Sequence, residues 1–348
     1  VHFKIQWHLT DRCNLSCRHC YQETEPGPEP ETSDLLRVFE GIRHFFLFLK
    51  QQAASPPRFH VSMTGGEPLI RSDLLDLLDH LSPYRHLFGL SILTNGTLID
   101  ASMARALRKR APDSVQISIE GPEAIHDGIR GPGSYRKARQ GAIHLIRQGV
   151  PVVFAVTVHR ENQNSLGPVL RLARRLGVRT VWADRLLPWG RAGQSDLCPL
   201  SAGELQDLHR TMARHRQSLW NRLYPKTSLS MHRALQFLEG GGRPYRCRAG
   251  SGLLAIAPDG TVWPCRRMPE ALGNIHHTRL EDLYRHHDFL KRLTDPTIVP
   301  NGCETCFYLD LCRGGLRCLS FVRFGDPLVR DPDCPGPFRQ GISHAEKA

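Results

Sequence analysis

Cys13-Asn-Leu-Ser-Cys17-Arg-His-Cys20 places three thiols within eight residues, at the spacing Cys-x3-Cys-x2-Cys. Three thiolates so placed can hold three irons of a 4Fe–4S cube and leave the fourth iron without a protein ligand. An open metal position is where a cofactor or substrate can bind and react. A zinc site completed by His8 or His19 is the alternative. A second group lies far downstream: Cys247, Cys265, Cys303-x2-Cys306-x5-Cys312, Cys318 and Cys334. Between the two groups only Cys198 occurs, and outside both patterns it reads as a small inert hydrophobe. Two tight clusters without a secretory signal point to metal or iron–sulfur ligation in a reducing cytoplasm rather than to disulfides.

The elements that must position these residues follow from the periodicity. Short β-branched runs alternate with amphipathic helical stretches from residue 3 to about 187, which signals parallel β/α construction. Strands are expected at Phe3–Leu9, Phe59–Met63, Leu87–Leu93, Val115–Ile119, Val152–Val158 and Thr180–Leu186. Helices are expected at Ser33–Gln52, Asp73–Leu81, Ala101–Arg110, Tyr135–Gln148 and Leu166–Leu176, the last two closed by Gly149 and Gly177. Six such units fit an α/β fold, a partial barrel of (β/α)6 type. The first cysteine group falls directly after the first strand, and Gly- and Pro-rich loops at the other strand ends are where β/α barrels carry chemistry. Beyond residue 195 the pattern changes to helices at Ser201–Asn221 and Met231–Glu239, then to a cysteine-rich tail. The expected divisions are 1–195 for the barrel, 196–240 for a helical linker and 241–348 for the cysteine-rich part.

Composition narrows the class. Hydrophobic residues make up 40% and charged residues 23% of the 348, as in ordinary globular proteins. No apolar run approaches the roughly 20 residues that span a bilayer, so no membrane partner is expected. The formal charge of +12 comes from scattered arginines without a basic block or interleaved aromatics. Nucleic acid is therefore not the expected partner; the charge suits either a basic surface typical of an arginine-rich proteome or an acidic partner, an electron carrier or an acidic peptide.

Several segments, taken in order, resemble the radical S-adenosylmethionine (SAM) superfamily. Gly65-Gly66-Glu67-Pro68 after the second strand is similar to the family's glycine-rich motif for the SAM amino group. Thr94-Asn95-Gly96 ends the third strand, and Ser118-Ile119-Glu120-Gly121-Pro122 resembles the fourth-strand segment whose Ser contacts SAM. Arg130 stands where a forked donor suits the SAM carboxylate, and Tyr21 where backbone touches adenine. The resemblance implies a SAM-cleaving 4Fe–4S cluster on Cys13, Cys17 and Cys20. It also implies reductive cleavage of SAM to a 5′-deoxyadenosyl radical, which abstracts hydrogen from the substrate.

The tail resembles the SPASM extension, which carries one or two auxiliary iron–sulfur clusters; a zinc ribbon would need a second Cys-x2-Cys pair. By resemblance Cys303, Cys306, Cys312 and Cys334 hold the distal cluster, and Cys247 and Cys265 the nearer one. The pattern departs where Leu316 replaces an expected cysteine, and Cys318 is the expected substitute. Such enzymes mostly modify ribosomally made peptides or proteins, through thioether or carbon–carbon crosslinks, epimerisation or oxidation. Tetrapyrrole side-chain modification of the haem pathway is an alternative. Sulfatase-type maturation is disfavoured because Arg266 stands where those enzymes place an Asp base. An iron–sulfur electron carrier is the non-enzymatic alternative, and it gives the SAM segments no purpose. The expected electron donor is a flavodoxin or ferredoxin, and leader recognition would fall to a separate protein or to the enzyme's own surface. No acid or base for the substrate step stands out; Asp184 and Arg185 point to the right barrel end but equally suit a structural ion pair.

Overall fold

The computed structural model describes residues 2–22, 27–217, 227–230, 235, 237–240 and 244–336. Six β/α units are built as the periodicity predicts, each expected strand within about one residue of its observed bounds. They are β1 (His2–His8), α1 (Thr32–Gln52), β2 (Arg58–Thr64), α2 (Leu74–Leu81), β3 (Phe88–Thr94), α3 (Ala101–Arg110), β4 (Ser114–Ser118), α4 (Glu123–Arg130), α5 (Ser134–Arg147), β5 (Val152–Val158), α6 (Leu166–Leu176) and β6 (Thr180–Arg185). A short α7 (Arg191–Gln194) and the longer α8 (Ala202–Gln217) follow. Most of the expected Met231–Glu239 helix lies outside the described residues; Phe237–Gly240 is helical.

The sheet is larger than six strands. β7 (Ser228–Ser230) pairs parallel with β6, and β8 (Leu253–Ile256) pairs parallel with β1 in the register Lys4↔Leu253. Antiparallel β9 (Thr261–Trp263) and β10 (Gly273–Asn274) extend that edge, giving the order β10-β9-β8-β1-β2-β3-β4-β5-β6-β7. The cysteine-rich part is thus hydrogen-bonded onto the first barrel strand. Its far end is braced too, because buried Arg185 of β6 reaches Asp331 at 2.5 Å and Asp333 at 3.0 Å.

Strand alternation sorts two faces. Phe3, Ile5 and Trp7 of β1 turn outward beneath the helices, where Phe39, Phe45 and Phe46 of α1 are buried against them and their neighbours. Phe46 stacks on Phe59 at 4.5 Å and Phe3 meets Phe45 edge-on at 5.3 Å. Each of these side chains contributes roughly 1.5–3 kcal/mol by leaving water. The alternate residues, Lys4 and Gln6 of β1, His60 and Ser62 of β2, Ser91 of β3, Gln116 and Ser118 of β4, face inward and line one cavity. This side of the lumen is mostly polar, whereas Val153, Ala155 and Trp182 of β5 and β6 give the other side an apolar lining.

Candidate active site

The loop after β1 carries Cys13, Cys17 and Cys20 and is pinned from three sides. Gly66 N donates to Thr10 O (2.8 Å) and Glu67 N to Arg12 O (2.9 Å). Arg18 N donates to Ile129 O at the end of α4 (2.9 Å), and Ala192 N of α7 donates to Cys20 O (2.8 Å). The two glycines are required by that approach: a Cβ on Gly65 would stand 2.2 Å from Thr10 O, and one on Gly66 2.1 Å from Arg12 O. Gly66→Ala should therefore displace the loop at Arg12 and Cys13. A displacement on the ångström scale at a reacting centre costs roughly a hundredfold in rate. We expect that fall in 5′-deoxyadenosine formation, with fewer irons per chain by iron assay; unchanged iron and rate would contradict it.

The loop thiols open onto a cavity of about 760 Å³ inside the barrel. Of the residues singled out by resemblance, Tyr21, Gly65, Gly66, Thr94, Asn95, Ser118 and Arg130 line the same cavity. Glu67 and Pro68 do not. Glu67 is fully buried behind the wall, with Oε1 accepting from Thr94 Oγ1 (2.7 Å) and Leu69 N (3.1 Å), and Oε2 from Asn95 N (2.7 Å). Its carboxylate orders the β3 end rather than facing the lumen. Arg130 is also differently engaged from the reading that left its fork free. Nε and Nη2 donate to Glu120 Oε1 at 2.9 and 2.5 Å, and Nη1 points at Cys17 Sγ at 3.6 Å.

Glu120 is the hub of the wall. It is fully buried and also accepts from His19 Nε2 (3.0 Å) and Thr157 N (2.8 Å). Burial alone would push its carboxyl up, but Arg130 first and His19 next outweigh this and hold it well below the usual carboxylate range. His19 is drawn down by its own burial, and its Nε2 lies 3.0 Å from Glu120 Oε1.

The thiols have donors of their own. Asn95 Nδ2 lies 3.9 Å from Cys13 Sγ and Arg130 Nη1 3.6 Å from Cys17 Sγ. Burial raises the Cys13 thiol and pushes the Cys17 thiol up to about 11, so iron entering here displaces protons. Hydrogen bonds to sulfur and a nearby guanidinium are what a cube held by three thiolates takes from a protein. No three His, Cys, Asp or Glu side chains among the described residues are close enough for a single ion. Sulfurs bound to a cube each sit on a different iron, farther apart than the ligands of one zinc. The donor set fits the cube.

The downstream cysteines separate into two groups, and none lines the lumen. Cys303 lies within electrostatic reach of Cys306, Cys334 and Cys312, and burial pushes both Cys303 and Cys312 up to about 12. Cys318 is fully buried within reach of Cys265 and Cys247 and is likewise pushed up by burial to about 12. Leu316 is buried in the main core. Cys198 is exposed. Asp184 and Arg185 both line the lumen but pair elsewhere, Asp184 with Arg267 at 2.6 Å and Arg185 with Asp331. Sequence reasoning passed over Gln6, His60, Ser62, Ser91 and Gln116, whose signal was polar residues at every second position of otherwise apolar strands, and Arg267, which lies on no strand and carried no such signal.

A polar barrel mouth with three loop thiols and donors aimed at them belongs to an iron–sulfur enzyme, and comparison with known proteins says which kind. The radical SAM superfamily matches residues 7–173, and an iron–sulfur cluster-binding domain, SPASM, matches residues 247–307. The chain is 30% identical to the mycofactocin maturase MftC of Mycolicibacterium smegmatis over 95% of its length and 82% of the relative's. It is 27% identical to an AdoMet-dependent heme synthase of Oleidesulfovibrio alaskensis, over 95% and 86% respectively. The fold matches Streptococcus suis SuiB, solved with S-adenosylmethionine, at TM-score 0.76 and 16% identity over 96% of this chain and 77% of that one; SuiB has also been solved with its precursor peptide SuiA. The chain belongs to the radical SAM superfamily and carries a C-terminal SPASM domain. It is a radical SAM enzyme, working with a 4Fe–4S cluster, SAM and auxiliary iron–sulfur chemistry. The electron-carrier alternative is thereby set aside. No helix among the described residues is long and apolar enough to cross a membrane.

Proposed function

We propose that this enzyme modifies a ribosomally made peptide, one residue of which enters the barrel lumen beside SAM. The observation that carries this reading is the size of the lumen. About 760 Å³ lies within the roughly 300–1,000 Å³ of a single small-molecule site. With SAM in place it takes a residue of an extended chain more readily than a whole macrocycle. The names of the maturase relatives and the SuiB–SuiA complex support the same substrate class.

Cys13, Cys17 and Cys20 hold the SAM-cleaving cluster, which with SAM supplies the 5′-deoxyadenosyl radical that takes a hydrogen atom from the substrate. Asn95 and Arg130 donate toward the sulfurs of Cys13 and Cys17 and temper their charge. Glu67 and Glu120 are positioning residues: the first fixes Thr94 and Asn95, the second fixes Arg130. Gly65 and Gly66 bring their own backbone against the cysteine loop, and Ser118 offers a hydroxyl to the cofactor across the lumen. The strand walls keep bulk water from the radical. Cys303, Cys306, Cys312 and Cys334 hold one auxiliary cluster, and Cys247, Cys265 and Cys318 the nearer one. A flavodoxin or ferredoxin supplies the electron. The barrel occupies residues 1–195, the linker 196–240 and the auxiliary-cluster part 241–348.

A second reading, tetrapyrrole side-chain modification, is favoured by the heme synthase relatives and by the arginines at the lumen wall. Holoenzyme with SAM and dithionite, offered either a low-mass peptide fraction of the source cell or iron coproporphyrin, separates the two. The peptide reading predicts faster 5′-deoxyadenosine release and a peptide of altered mass. Release stimulated by the tetrapyrrole alone would overturn it.

A further inference from the structure

The last two residues of β6 pair with different parts of the cysteine-rich region. Arg185 reaches Asp331 and also Asp333, which precedes Cys334 of the distal group. Asp184 lines the lumen and pairs with Arg267 Nη1 at 2.6 Å. Arg267 is buried, and its Nη2 donates to Arg185 O (2.9 Å), so its guanidinium is tied to the end of β6 at two points. Its backbone N donates to Cys265 Sγ (3.5 Å). One residue thus meets a lumen carboxylate with its side chain and a sulfur of the nearer group with its backbone.

Charge supplies the second argument. At buried Cys318 the Arg267 guanidinium favours the thiolate more strongly than Asp184 opposes it, so the cation's influence wins at that sulfur. The distal group answers to a separate set of charges: the Asp331 carboxylate acts on Cys312 and Cys334, and Arg330 on Cys303 and Cys334. Burial depresses the potential of an iron–sulfur cluster, because each electron taken up adds negative charge to a low-dielectric surrounding. A fixed cation and hydrogen bonds to the sulfurs raise it.

We propose that Arg267 sets the nearer auxiliary cluster: its guanidinium holds the reduction potential up against burial, and its pairing with Asp184 carries the charge of the lumen wall to that cluster. Charge in the lumen and charge on the nearer cluster thereby influence each other. This rests on the assignment of Cys247, Cys265 and Cys318 made above and adds what controls that site. Arg267 is a positioning residue, acting through the cluster rather than on the substrate.

The test is a redox titration of iron-loaded, full-length enzyme followed by EPR without SAM. The nearer cluster is identified as the signal that Cys318→Ala removes. Arg267→Gln should lower its midpoint by at least about 59 mV, a tenfold change in the ratio of reduced to oxidised cluster for a one-electron couple. Arg267→Lys keeps the charge and should keep most of the wild-type value. Asp184→Asn leaves the guanidinium unopposed and should move the same midpoint upward. Because it retains Arg267, that variant tests the line of charge even where Arg267→Gln does not load iron. The distal midpoint should stay in place throughout, with iron content and melting temperature reporting the fold of each variant. A Cys318-dependent midpoint moved by neither Arg267→Gln nor Asp184→Asn overturns the proposal alone, and so do equal shifts of both midpoints. If Cys318→Ala removes no signal, the assignment of the nearer cluster fails and the proposal falls with it.

Discussion

Cys13, Cys17 and Cys20 changed together to Ala should yield a folded, coloured protein that forms no 5′-deoxyadenosine. Their loop lies on the surface of the lumen rather than in the apolar core, so its thiols can be removed without opening a cavity under the helices. The loss of activity should be complete, because no other thiol lines that cavity. Iron analysis of the same variant reads the auxiliary part separately. About eight irons should remain, two cubes of four, because Cys318 lies within reach of Cys247 and Cys265 while the other four cysteines form their own group. About four would mean that Leu316 marks a lost site which Cys318 does not restore. Residual 5′-deoxyadenosine would refute the assignment of the loop.

Glu120→Leu should be the most destabilising single change in the barrel wall. It strands the Arg130 guanidinium, removes the acceptor for His19 and leaves Thr157 N unpaired. Breaking a buried pair by removing one partner costs about 3–5 kcal/mol, and the partly exposed Arg130 places this one toward the lower end. The loss should appear as a lower urea midpoint, and iron loading should fall because Arg130 no longer holds its place beside Cys17. The wild type carries the matching pH dependence. The folded-state pKa of Glu120 is depressed below the ordinary 4.5. The stability it contributes is therefore fully present above 4.5 and is lost as the pH falls below that value. In Glu120→Leu that part of the acid-side slope should be missing; an unchanged slope would show that Glu120 is not the group responsible.

The parts of the fold that local pattern encodes were readable. Val152–Val158 and Ala101–Arg110 have the predicted bounds because an alternating β-branched run and an Asp100-capped amphipathic stretch each carry their own signal. Asp100 Oδ1 accepts from Met103 N at 2.7 Å, as an N-cap should. Helix α4 was missed because it is only eight residues long and includes Gly128, and it packs against α5. The pairing of β8 with β1, about 250 residues apart, left no local trace in the four apolar residues Leu253–Ile256. The candidate site shows the same division. Cysteine spacing and the Gly65-Gly66 pair could be read directly, whereas the partners of Arg185, Asp184 and Arg130 are tertiary. Arg266 was noticed for the Asp it replaces, but its contacts with Gln6, Thr64 and Tyr21 are tertiary and left no sign in the sequence.

The central claim is that the loop of Cys13, Cys17 and Cys20 carries a SAM-cleaving cluster, and one measurement meets it directly. Wild-type protein is reconstituted anaerobically with iron and sulfide, reduced with dithionite and given SAM, and 5′-deoxyadenosine is followed by HPLC beside the EPR signal of the reduced clusters. The account predicts an EPR signal altered by SAM and steady formation of 5′-deoxyadenosine. A full complement of reducible clusters, with neither a SAM-dependent spectral change nor any 5′-deoxyadenosine, would contradict it.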